Sequence, residues 1–72
     1  GMDRAAQDAA LAAARAAARG APARYAVAHY QFQIGRSRND QAMQTQAAEA
    51  MIESALTHAR ILEDTRNQGT SP

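Results

Sequence analysis

The chain has no cysteine, no lysine and no tryptophan, and only two prolines, four glycines and three aromatic residues among its 72 positions. Without cysteine, neither a disulfide framework nor a thiolate metal site can form. That absence fits a cytoplasmic protein. No run of about 18 apolar residues occurs, so no segment is expected to span a membrane. The Ala- and Arg-rich start carries Asp3 and Asp8 and no hydrophobic block, which makes it a poor signal peptide. Gly1 before Met2 reads as a residue left by tag removal. Large apolar side chains are also scarce, while alanine fills 20 of the 72 positions. Residues 1–72 allow one small domain, and so small a domain buries a modest share of its surface. A lone monomer is expected to be marginal and to complete its core with a protein partner or as a homo-oligomer.

Charge is nearly balanced overall, at +1, but is unevenly placed. Residues 1–38 hold six arginines and two aspartates, giving +4, and residues 39–72 hold two arginines and five acids, giving −3. If the halves fold back on each other, this asymmetry favours antiparallel pairing. Surface charge pairs are worth only about 0–1 kcal/mol each, so orientation gains more than stability. The +4 half is too dispersed to suggest nucleic acid. The exclusive use of arginine fits a GC-rich bacterial source.

The patterning is helical throughout. Asp3 to Arg19 is an Ala-rich run with acids toward its start and Arg15 and Arg19 toward its end, as the helix dipole prefers. Gly20 offers a stop, and Pro22 suits the first turn of a new helix or a kink in one long helix. From Ala23 to Ile34, Tyr25, Ala28 and Phe32 form one apolar stripe and Val27, Tyr30 and Ile34 a second. The alternation at Tyr30, Phe32 and Ile34 also permits a strand, but no second strand exists to pair with it. In the longest segment, Met43, Ala47, Met51, Ala55, Ala59 and Leu62 form a stripe widened by Ile52 and Leu56. The expected fold is all-α, an antiparallel hairpin or three-helix unit with helices over about 3–19, 22–34 and 40–66, and a disordered polar tail over 67–72. Folding back over Gly35–Asp40 would leave Met51–Leu62 covered by little but alanine, which makes Ile52, Leu56, Ile61 and Leu62 candidates for a partner-binding face. The full candidate set is Met43, Ala47, Met51, Ile52, Ala55, Leu56, Ala59, Ile61 and Leu62. Ordinary internal core is the competing reading of the same stripe.

Between the two apolar segments lies Gly35-Arg36-Ser37-Arg38-Asn39-Asp40-Gln41. As turn chemistry, Gly35 ends a helix, Ser37-x-x-Asp40 matches a capping box, Asn39 or Asp40 could cap instead, and Arg36 and Arg38 are solvated. The same string resembles the signature of argininosuccinate lyase. That resemblance implies a loop in which Ser37, Arg38 and Asn39 hold a carboxylate-bearing ligand at a helix start. The family's other active-site regions are absent from the chain, and Ala42-Met43-Gln44 departs from its usual continuation. The chain is therefore not read as a lyase or as any enzyme.

A broader resemblance spans roughly residues 24–64. The turn at Gly35–Asp40, the opening Gln41-Ala42-Met43-Gln44-Thr45-Gln46 and the step Ile52-Glu53-Ser54-Ala55-Leu56 resemble the E-component co-chaperones of type III secretion needle proteins. That resemblance implies a cytoplasmic helical hairpin that binds a helical-repeat chaperone and helps shield the needle subunit. His29 and His58 fall on different segments out of register, so no metal site is expected. Glu49/Glu53 and Glu63/Asp64 are carboxylate pairs without a cleft. No cofactor is implied. The leading expectation is a co-chaperone or assembly subunit of a bacterial secretion-type system. The alternatives are a self-associating helical bundle and a small anionic-ligand binder using Ser37, Arg38 and Asn39.

Overall fold

A computed structural model describes residues 3–69 as three helices, α1 (Arg4–Ala17), α2 (Gly20–Ser37) and α3 (Gln41–Gly69), with no strand among the described residues. The all-α, three-helix expectation therefore holds. Each boundary has a local cause. The Asp3 carboxylate accepts from the Ala5 amide at 2.7 Å and caps α1. α1 stops at Ala17, two residues short of the expected end, where Ala18 and Arg19 turn extended. Gly20 is not a stop after helix 1 but the first residue of α2, with φ at 79°, a left-handed position that costs glycine least. Pro22 then sits in the first turn of α2, where its missing N–H is not needed.

Two further boundaries differ from expectation. α2 does not end at Ile34 but runs through Gly35 and Arg36 to Ser37, leaving a join of only three residues. α3 continues through Asn67 and Gln68 to Gly69, where a polar tail was expected from Asn67. Thr70, Ser71 and Pro72 lie outside the described residues.

α1 and α3 both pack on α2 and do not pack on each other. The core is made of small residues. Leu11, Ala21, Ala28, Ile34 and Ala47 are its buried apolar members, with Gln31 and Ser54 its buried polar ones. The radius of gyration is 15.4 Å and the extents are 56 × 22 × 15 Å. A compact chain of this length would have a radius near 11 Å. The cause is a mismatch of lengths. The 29 residues of α3 span about 43 Å and the 18 of α2 about 27 Å, so about 16 Å of α3 outruns its neighbour. Every residue from His58 to Gln68 is exposed.

Candidate functional site: an uncovered helix face and the groove beside it

The turn at residues 38–40 is built by an exchange of roles between its residues. Gly35, buried inside α2, faces the first turn of α3. A Cβ there would lie 3.0 Å from Gln44 Cγ, 3.1 Å from the Gln44 amide nitrogen and 3.3 Å from the Asp40 carbonyl oxygen. Gly35 therefore serves close approach rather than termination. The left-handed position falls instead on Asn39, at φ 55°, a residue type that tolerates it. Asp40 caps α3, its Oδ1 accepting from the Met43 amide at 3.0 Å. Ser37 is in the last turn of α2 and caps nothing, so the capping-box reading of Ser37 gives way to Asp40.

Arg38 is not solvated. Its guanidinium reaches across thirty residues of sequence to α1, pairing with the Asp8 carboxylate at 3.1 Å and donating to the Arg4 carbonyl at 3.2 Å and to Gln7 Oε1 at 2.9 Å. It is the one ion pair among the described residues. Arg38 Nε is buried without a partner. The guanidinium that an anionic ligand would need is thus spent on holding α1 to the turn, while Ser37 and Asn39 stay exposed. The three residues are neighbours along the turn, and of them only Arg38 is part-buried.

Along α3 the nine candidate partner-binding residues divide. Ala47 is buried and Met43 and Met51 are half-buried against the hairpin, whereas Ile52, Ala55, Leu56, Ala59, Ile61 and Leu62 are exposed. Ile52, Leu56, Ile61 and Leu62 are 63%, 55%, 52% and 57% exposed. The face that α3 presents inward runs through Met43, Ala47, Ala50, Ser54 and Thr57, at alternating spacings of three and four. Ile61 falls seven residues after Ser54 and continues that seam beyond the end of α2. A second seam with the same spacing, Ile52, Ala55, Ala59 and Leu62, flanked by Leu56 one turn after Ile52, lies outward and uncovered.

Where α2 begins and the overhang of α3 leaves it, a half-open groove of about 320 Å³ forms between the three helices. Arg15, Arg24, Gln31, Glu53, Ser54 and Thr57 supply its polar lining, and Ala18, Val27, Ala28 and Ala50 its apolar floor. Buried Gln31 accepts through Oε1 from an Arg15 guanidinium nitrogen. Arg24 has no such partner and leaves positive charge at the groove's edge. The sequence gives no local sign of this groove, because its residues come from three helices. Only the +4 balance of residues 1–38 hints at its charge. His29 and His58 are exposed on separate helices. No described helix is long and apolar enough to cross a membrane.

No protein-family model, no curated protein and no solved structure matches the chain.

Proposed function

We propose that this chain is a helical protein-interaction module, a co-chaperone or assembly subunit rather than an enzyme, that offers the outward seam of α3 to a partner helix. One observation carries the reading: α3 outruns α2 by about three turns, and its outward face keeps Ile52, Leu56 and Leu62 more than half exposed. Contiguous apolar surface of this kind marks an interaction site. Anchors spaced three and four apart on one helix suit recognition by a groove or by a companion helix. The exposed area points the same way, since 5348 Å² exceeds the roughly 4,300 Å² of a compact chain of this mass by about 1,000 Å². The likeness of residues 24–64 to type III needle co-chaperones supports a helical-repeat chaperone as the partner and the cytoplasm as the place of work. The ligand-binding alternative is weakened by the commitment of Arg38 to Asp8, Gln7 and Arg4.

Leu56→Asp tests the reading. The side chain is exposed, so helicity should stay unchanged while partner capture from the native lysate drops by an order of magnitude or more. Unchanged capture by Leu56→Asp and by Ile52→Asp would show that the seam is not the contact.

A further inference from the structure

α1 and α3 lie on α2 without meeting each other, and the groove of about 320 Å³ is the trough left between them. Two side chains in it are buried yet leave hydrogen-bonding capacity unused. Ser54 is 8% exposed, and its hydroxyl bonds to no group among the described residues. A helical serine or threonine commonly returns its hydroxyl to the carbonyl one turn earlier, as Thr65 does to Ile61 at 2.9 Å. Gln31 is 7% exposed, and while its Oε1 accepts from Arg15, its Nε2 donates to no described residue. Among the described residues only Arg38 Nε is sealed from solvent without a partner. The Ser54 hydroxyl and Gln31 Nε2 therefore each keep an opening, and the groove they line provides it. Buried polar groups are ordinarily paired, so two unpaired ones on one trough mark a place prepared for a polar guest.

Charge and shape narrow the guest. Arg15 and Arg24 stand against one acid, Glu53, so the lining carries +2 − 1 = +1. The one ion pair among the described residues is Arg38 with Asp8, so neither groove arginine is matched to a carboxylate. Guanidinium groups match carboxylate or phosphate oxygens with paired N–H donors. The floor of Ala18, Val27, Ala28 and Ala50 is apolar, and inorganic phosphate has nothing to lay on it. The volume stands at the small end of ligand pockets. We propose that the groove binds a small organic monocarboxylate, with its apolar body on Val27, Ala28 and Ala50. Arg15, Arg24, Gln31 Nε2 and the Ser54 hydroxyl supply four donor groups, and a carboxylate offers about four acceptor sites. Anion binding, for which the turn has only an Arg38 already engaged with α1, is thereby placed in the groove. The groove lining shares no residue with Ile52, Leu56 and Leu62, so this inference and the interaction role of that face can fail separately.

Amide chemical shifts of the isotopically labelled full chain, titrated with sodium benzoate at fixed protein concentration and ionic strength, test it. Saturable shifts are expected around residues 15–18, 24–31 and 50–57, with a Kd of about 1 mM. Benzamide, the neutral analogue, and inorganic phosphate should each bind about tenfold more weakly or worse. Arg24→Gln should weaken benzoate about tenfold, whereas Arg36→Gln, exposed and outside the groove, should leave it unchanged. Ser54→Ala should weaken benzoate about threefold or more with Tm equal or higher, since no hydrogen bond is lost and alanine is the better helix former. No saturable shift up to about 20 mM benzoate would overturn the proposal. So would equal binding of benzamide or phosphate, equal losses in Arg24→Gln and Arg36→Gln, or shifts centred on residues 37–39 or on the α3 overhang from His58. A lower Tm in Ser54→Ala would show the hydroxyl already engaged within the fold, and would overturn it too.

Discussion

Replacing Gly35 by alanine should destabilise the protein, against the usual sign of that change in a helix. Gly35 lies inside α2 with no left-handed φ, so alanine should gain about 0.5–1 kcal/mol from lost unfolded-state freedom. The added Cβ would meet Gln44 Cγ at 3.0 Å, which a side chain can relieve, but also the Gln44 nitrogen at 3.1 Å and the Asp40 oxygen at 3.3 Å. Both of the latter are backbone atoms in the first turn of α3, and they can give way only if that turn moves. Moving it loosens the hydrogen bonds that the Gly35 carbonyl accepts from the Gln44 side-chain Nε2, at 3.3 Å, and from the Asp40 backbone N–H, at 2.9 Å. Overpacking of this kind costs about 1–3 kcal/mol. The net is a loss near 1 kcal/mol, a fall in Tm of about 4–8 °C for a domain of this size. Thermal melting followed by helix ellipticity, at one fixed protein concentration so that association does not shift Tm, reads it directly. Gly20→Ala is the companion, because its Cβ would meet nothing nearer than Pro22 Cδ at 3.9 Å. Its cost, about 1–2 kcal/mol, comes from the 79° φ alone. A Gly35→Ala variant as stable as wild type, or more so, would refute the close-approach argument.

Two other substitutions probe the turn. Arg38→Ala should release α1, raising amide exchange over residues 4–17 more than over 41–54. The ion pair contributes under about 1 kcal/mol because Asp8 is 60% exposed, and the bonds to Arg4 and Gln7 add about 0.5–1.5 kcal/mol each. Equal exchange in both regions would deny Arg38 that role. Asp40→Ala should cost about 1 kcal/mol through loss of the α3 cap, with Asp40→Asn nearly neutral. A larger loss in Ser37→Ala would return the cap to Ser37.

The all-α fold and the exposure of Ile52, Leu56, Ile61 and Leu62 were legible in the residue pattern, whereas Pro22 suited both a new helix and a kink until the extended Ala18 and Arg19 separated α1 from α2. What was misread has physical reasons. Glycine marks both helix ends and tight packing, and at Gly35 only the partner helix distinguishes the two. The left-handed residue proved to be Asn39, the second residue type that accepts that conformation. Arg38 carried no local sign of its partners, which lie thirty residues away on α1. The buried stripe of α3 was traced by apolar residues at mostly i+4 steps, which precess by about 40° per step and leave the covered side after Met51. Ser54 and Thr57, small and polar, hold that side instead. A seam of alanine, serine and threonine packs closely because it is small, and for the same reason it gives a weak hydrophobic signal.

The central claim is that the last three turns of α3 wait for a cover. Residue-resolved amide exchange along α3, measured at two concentrations roughly a hundredfold apart and with solution mass recorded on the same samples, tests it most directly. The account predicts that amides from His58 to Gln68 exchange fast in the monomer and become as protected as those from Gln44 to Ser54 once the chain is associated. Strong protection of His58–Gln68 in a sample whose mass is that of a monomer would contradict it, and so would fast exchange that persists in the associated form.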